Sequence, residues 1–208
     1  MNILKFFSLD GVSNKEDNKT ESLGLKLSGK ALEKEIKKYK EIADKTIIEA
    51  KESGFFKDEF LPILSERIES VSQLGYVYTD PFNKTDCLSL EEKKSLNLNT
   101  RAKYSRELIN GLTEKGISEA GNNKDFLKNM FLRNFHKVSR KYDLEHLKEL
   151  GTKFVIISDC DDERDCKAIK KLKKKWPIDE VPELPLPQCD AAYCRCTYLG
   201  DYSEDFND

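Results

Sequence analysis

Between residues 30 and 50 the apolar positions Leu32, Ile36, Tyr39, Ala43, Ile47 and Ala50 recur at three- and four-residue steps, with lysines and glutamates between them. That period puts them on one face of an amphipathic helix of about six turns, and Gly54 offers a natural stop. A second stripe, Phe60, Ile63, Leu64, Ile68, Val71 and Leu74, predicts a helix over 58–74. Asp58 is its candidate N-cap, Pro62 falls in the first turns where a missing N–H is tolerated, and Gly75 closes it. The short link Gly54-Phe55-Phe56-Lys57 makes the two helices an antiparallel hairpin.

Further along, Ser89-Leu90-Glu91-Glu92 has the spacing of a capping box and starts another helix. One more helix is expected over 100–112, followed by breaks at Gly116 and at Gly121-Asn122-Asn123. Phe126, Met130, Phe131, Phe135, Val138, Leu144, Leu147 and Leu150 then predict a long helix over 125–150, or two helices broken near 141–143.

Beyond Gly151 the pattern changes. Phe154-Val155-Ile156-Ile157 is β-branched and strand-like. An acidic turn follows (Asp159, Asp161, Asp162, Glu163, Asp165), then a lysine-rich segment read as a helix over 167–175. After it comes a stiff, extended stretch that holds Pro177, Pro182, Pro185 and Pro187. The expected fold class is mainly α: a flexible N-terminal arm over 1–29, a helical body over 30–150, a small cysteine module over 151–200 with a short β-strand or hairpin, and an acidic tail over 201–208.

Composition narrows the function classes. The chain of 208 residues carries 36 basic and 38 acidic side chains, a net charge of −2. A surface devoted wholly to nucleic acid is thereby excluded, as is a purely acidic disordered tail protein. No apolar run approaches the ~18–20 residues that cross a bilayer. The start, Met1 to Leu9, holds Lys5 and no small-residue cleavage site follows it, so a cytoplasmic location is expected and no membrane partner.

Five of the six cysteines lie in the last 49 residues: Cys160, Cys166, Cys189, Cys194 and Cys196. In a reducing compartment such clustering points to metal ligands or redox groups more than to a disulfide framework. Zn²⁺ takes four nitrogen or sulfur ligands in a tetrahedron, and a ligand group on each side of a loop is a common structural arrangement. The 22 residues between Cys166 and Cys189 fit that plan. A module this short has little apolar surface of its own, and a bound ion supplies the missing folding free energy. The expected ligands are Cys166, Cys189, Cys194 and Cys196, with Cys160 as alternate; Cys166 is favoured by its place at the start of the expected lysine helix, where the dipole favours a thiolate. Cys87 reads as a structural thiol, and His136 and His146 as ordinary histidines of the helical body.

Asp162-Glu163-Arg164-Asp165-Cys166, the segment through Leu172, Trp176-Pro177-Ile178-Asp179-Glu180, the prolines and Cys194-Arg195-Cys196 resemble the C-terminal cysteine module of phage head-morphogenesis (minor head) proteins of the Mu F type. They are also similar to cysteine-rich tails of uncharacterised bacterial proteins. The resemblance covers about 45 residues and leaves the helical body unmatched; Ile169 stands where the family usually has the second cysteine of a C-x-x-C pair. It implies a metal knuckle and a phage-related origin.

Lys167, Lys170, Lys171 and Lys174 beside Trp176 offer a second reading, a nucleic-acid contact made by phosphate-binding lysines and a stacking ring. The acidic turn lacks the glycine of an EF-hand loop. No P-loop, G-x-G-x-x-G, H-E-x-x-H or G-x-S-x-G motif occurs. The sequence therefore predicts a zinc-binding structural or protein-interaction component, of prophage derivation. A nucleic-acid-binding protein using the lysine-rich segment is the alternative, and an enzyme with a nucleophilic cysteine stands third.

Overall fold

The computed structural model describes residues 29–72, 81–82, 86–158, 166–172, 175–191 and 193–201. The expected N-terminal arm up to residue 28, Leu74 and Gly75, the acidic turn with Cys160, Lys174 and the tail from 202 onward lie outside them.

Helix α1 (Lys30–Ser53) runs the length its periodicity predicts and stops at Gly54, which takes the left-handed conformation at φ 67°. Its buried side differs slightly from the expected one. Lys38, Ile42, Ala43, Thr46 and Ala50 face inward, while Ile36 is 43% exposed. Thr46 is tolerated there because its hydroxyl donates to the Ile42 carbonyl at 2.8 Å. Asp58–Phe60 forms a 3₁₀ turn, and α2 (Leu61–Ser72) follows with Pro62 in its first turn. Asp58 therefore opens a 3₁₀ turn and does not cap an α-helix. Leu64 and Ile68 are buried where α2 packs on α1, Phe60 is buried in the preceding turn, and Ile63 is exposed.

Helix α3 (Leu90–Ser95) begins with the expected capping box: the Glu92 backbone N–H donates to Ser89 Oγ at 3.2 Å, and the Ser89 N–H donates to Glu92 Oε2 at 2.7 Å. Arg106 then pairs with Glu92 and with Asp86.

The helix expected over 100–112 shrinks to α4 (Arg106–Asn110). The backbone before it is spent on another strand-like contact. Leu88 N–H donates to the Tyr104 carbonyl at 3.0 Å and Arg106 N–H to the Asp86 carbonyl at 2.9 Å, while the Tyr104 hydroxyl donates to the Ala120 carbonyl at 2.9 Å. Conversely, Gly116 and Gly121 do not break the chain but sit inside α5 (Glu114–Asn122), which Thr113 caps by accepting from Gly116 N–H at 3.1 Å.

Helix α6 (Phe126–Glu149) is continuous, with no break near 141–143. Phe126, Leu127, Met130, Phe131, Phe135, Val138 and Tyr142 enter the body core with Ile42, Leu64, Ile68 and Leu112. Phe56, Phe60 and Phe82 form a stacked run with centroids 6.4 and 5.9 Å apart. Lys34 to Glu149 (3.0 Å) and Lys141 to Glu41 (3.3 Å) bridge α1 and α6 across solvent. The buried Asn134 donates to Glu49 Oε2 of α1 at 2.6 Å.

After Gly151 a three-stranded antiparallel sheet forms in the order β2–β1–β3. Strand β1 (Phe154–Ser158) pairs with β2 (Lys175–Pro177), Val155 opposite Trp176, and with β3 (Thr197–Asp201), Ile156 opposite Leu199. The lysine helix expected over 167–175 is absent as such. A 3₁₀ turn at Ile169–Lys171 is followed by Leu172 in extended backbone and then by β2. The ladder to β1 claims Lys175–Pro177, and Pro177 cannot continue a helix. The protein is thus mainly helical with one small antiparallel sheet. Among the described residues no helix is long and apolar enough to cross a membrane.

Candidate functional site

The sheet, the 3₁₀ turn and the proline segment enclose a second apolar cluster made of Ile157, Cys166, Ile169, Leu184, Leu186, Cys194, Cys196 and Tyr198. Leu144 and Leu147 of α6, Trp176, Val181, Cys189 and Ala191 pack around it. Local chemistry explains the arrangement. The Tyr198 hydroxyl on β3 accepts from Leu184 N–H at 3.0 Å and donates to the Pro182 carbonyl at 2.8 Å, which pins the proline segment over the sheet. Cys189 is set by a turn in which its N–H donates to the Leu186 carbonyl at 2.9 Å. Cys194 and Cys196 lead directly into β3, and Cys166 precedes the 3₁₀ turn.

Four of the five C-terminal cysteines, the set expected as ligands, therefore meet in one cluster. Cys166, Cys194 and Cys196 are buried, Cys189 is half-buried, and all four are free thiols. Cys189 interacts with Cys166 and with Cys194, and Cys194 in turn with Cys196. The alternate ligand, Cys160, lies outside the described residues. Cys87 sits far away in the body, at a bridge to Ser105. Among the described residues no three side chains of His, Cys, Asp or Glu stand in the arrangement that holds a metal ion.

Cys194 and Cys189 differ electrostatically. The Cys194 thiol is held well below its ordinary pKa, first by the hydrogen bond from Cys196 and then by the positive charge of Arg140. The Cys189 thiol is pushed up, chiefly by burial, and the neighbouring sulfurs of Cys166 and Cys194 add to the effect. One sulfur of the group is thus poised as a thiolate, the form that both binds metals and attacks disulfides. Cys166 does not owe its place to a helix N-terminus, because only a three-residue 3₁₀ turn follows it.

Arg140 was missed by sequence reasoning, and so was the face of α6 on which it lies. His136, Arg140, Leu144 and Leu147 follow one another at helical spacing and look toward the cysteine cluster, whereas the core stripe of the same helix looks toward α1. Arg140 Nη1 donates to the carbonyls of Cys194 at 3.3 Å and Cys196 at 3.0 Å. The His136 ring stacks parallel on Tyr193 with centroids 5.7 Å apart. Burial, with help from Arg140 and Arg195, lowers the His136 pKa to about 4, so the ring is neutral at physiological pH. The available signal was apolar residues on two sides of the 126–150 segment, which a single-stripe reading merges into one.

The lysines of the alternative reading separate. Lys167, Lys170 and Lys171 are exposed around the 3₁₀ turn, Lys174 lies outside the described residues, and Trp176 is half-buried on β2 against the cysteine cluster. The single helical face on which they were expected does not form.

No known family, curated protein or solved structure matches the chain.

Proposed function

We propose that the C-terminal part of this chain is a zinc-binding structural module in which Cys166, Cys189, Cys194 and Cys196 close around one Zn²⁺, and that the protein serves as a structural or protein-interaction component of prophage derivation. One observation carries the reading: four reduced thiols from segments around 166, 189 and 194–196 are gathered in one largely buried cluster. Ion binding draws these thiols into a single tetrahedron, an arrangement the described residues do not hold without it. Thiolates are the ligands zinc favours in closed structural sites. The lowered pKa of Cys194 helps the first of them to ionise. The pattern at 162–166, 176–180 and 194–196 is what supports the phage-related origin.

Metal analysis of the reduced full-length chain tests the reading. About one zinc per chain is expected, lost on chelation together with protection of the 166–201 segment, and lost in a Cys194→Ser, Cys196→Ser double variant. A reduced, folded chain that takes up no zinc refutes it. The hydrogen bonds of Cys189 with Cys166 and of Cys194 with Cys196 favour a second reading, reversible formation of two disulfides. In that case the zinc-free protein exchanges with an added disulfide reagent until Cys166–Cys189 and Cys194–Cys196 are joined, each new bond being matched by two thiols released from the reagent.

A further inference from the structure

We infer that the four clustered thiols form a relay for thiol–disulfide exchange, in which Cys189 is the entry point for a small external disulfide and passes the oxidation inward to Cys194 and Cys196. The inference rests on the disulfide reading of these thiols, concerns the zinc-free chain and gives each sulfur its place in the order.

Access and contact set that order. Cys166, Cys194 and Cys196 are 5%, 6% and 4% exposed, whereas Cys189 is only half-buried. Cys189 follows the proline segment that Tyr198 holds on the sheet, in the turn closed by its N–H on the Leu186 carbonyl. Its side chain is hydrogen-bonded to that of Cys166 and lies near enough to Cys194 for the two to interact electrostatically, and Cys194 is hydrogen-bonded to Cys196. The sulfurs thus follow one another as Cys166, Cys189, Cys194 and Cys196, with the accessible one between the two ends. Among the described residues no three side chains of His, Cys, Asp or Glu are grouped as a metal centre requires. A succession suits exchange, because each step involves only an attacking sulfur, a central one and a leaving one. The inner pair is held from α6 by Arg140, which donates to the carbonyls of Cys194 and Cys196 and also contacts the Cys194 side chain. Burial pushes the Cys189 thiol up, so entry is slow at neutral pH; access, not ionisation, gives Cys189 its place.

Each step replaces one sulfur–sulfur bond by another. Cys189 gives its proton to water and bonds to one sulfur of the reagent, and the other leaves as a thiolate and takes up a proton. Cys166 then attacks the Cys189 sulfur and expels the second reagent thiol. Two protein thiols have lost two electrons, and the reagent has become two thiols. Next Cys194 attacks Cys189 and frees Cys166, and Cys196 attacks Cys194 and frees Cys189. This transfer oxidises nothing further. A second reagent molecule re-oxidises the freed outer pair and draws the transfer forward, so two reagent molecules yield four thiols and two protein disulfides.

The test uses the reduced, zinc-free, full-length chain and glutathione disulfide, with acid quenching at intervals and mass mapping of every cysteine. In wild type the first glutathione adduct among the four is expected on Cys189, and the Cys166–Cys189 bond should precede Cys194–Cys196. Cys189→Ser should slow closure of Cys194–Cys196 about tenfold or more, because attack at a buried sulfur then waits for local opening. Cys166→Ser should leave that closure no slower than in wild type, since Cys189 still takes the adduct and hands it to Cys194. The order of adducts in wild type needs no variant, so a poorly folding Cys189→Ser chain does not shelter the inference. A first adduct on Cys166, Cys194 or Cys196 overturns the relay and leaves the disulfide reading standing. So does closure of the inner pair at the wild-type rate in Cys189→Ser, or a Cys166→Ser chain slowed as much as Cys189→Ser. If no disulfide joins any of the four, both fail.

Discussion

Replacing Gly116 by alanine reverses the usual expectation for a glycine inside a helix. Gly116 is the third residue of α5, and its N–H satisfies the Thr113 cap. On propensity alone the substitution would add about 0.5–1 kcal/mol of stability. Here a methyl group at position 116 would overlap the Phe55 carbonyl oxygen, stand 2.9 Å from its carbon and press on Leu112 Cβ at 3.2 Å. The obstacle is main chain, and it cannot rotate away like the end of a side chain. Phe55 is also held where it is: Thr113 N–H donates to its carbonyl at 2.9 Å, and Lys57 N–H to the Gly111 carbonyl at 2.9 Å. Relief of the overlap requires α5 to lift from the α1–α2 link. That costs about 1–3 kcal/mol in overpacking and about 1 kcal/mol for each hydrogen bond lost. Steric cost exceeds propensity, and a net loss of about 2–3 kcal/mol is expected, equal to a fall of about 5–10 °C in Tm for a chain this long. The assay is thermal and urea unfolding followed by circular dichroism, with Ser118→Ala on the exposed side of the same helix as control. A Gly116→Ala protein as stable as the control would show that the close approach of α5 to Phe55 is not real.

Two other outcomes follow from single side chains. Tyr198→Phe removes the hydroxyl that accepts from Leu184 N–H and donates to the Pro182 carbonyl. It should cost about 1–2 kcal/mol and expose residues 182–186 to limited proteolysis, and an unchanged cleavage rate would count against this hold on the proline segment. For His136 the folded pKa of about 4 lies below the ordinary 6.5, so between these values the unfolded chain binds a proton that the folded chain refuses. Stability therefore declines as pH falls from about 6.5 toward about 4, and His136→Gln should flatten that decline in urea midpoints; parallel pH profiles for the two proteins would contradict the burial of a neutral ring against Tyr193.

Local rules carried much of the fold. Gly54 ends α1, Ser89 and Glu92 cap α3, and the β-branched run at 154–157 becomes β1 because each signal acts within a few residues. Errors arose where distant backbone decided the outcome. Residues before Arg106 leave helical conformation to bond with 86–88, and Trp176 joins a ladder with Val155 despite six lysines nearby that favour helix. Gly116 and Gly121 looked like breaks, but they are places where a helix passes too close to another backbone for any side chain. At the candidate site, the cysteine cluster was legible from clustering and spacing. Arg140 was not, because nothing local distinguishes it from the many exposed basic residues of α6.

Buried cysteines alone do not identify a metal site, since a free thiol packs as a small apolar side chain and could fill this cluster beside Ile157, Leu184 and Leu186. What separates the two explanations is the company the thiols keep. An apolar filling gains little from the Arg140 guanidinium that α6 brings in, a cation that acts on the Cys194 thiol and on Asp143 as well as donating to two carbonyls; leucine or methionine at position 140 would cover the cluster at lower cost. An ionised sulfur centre gains directly, because the same cation stabilises the thiolate form on which metal binding depends. The two explanations diverge for Arg140→Met only once zinc is added. If the thiols are only packing, the variant is as stable as wild type or more so. If the cluster is built to be anionic, the metal-free variant is stabilised and the metal-loaded one weakened, and the crossing of the two unfolding curves with added zinc decides between them.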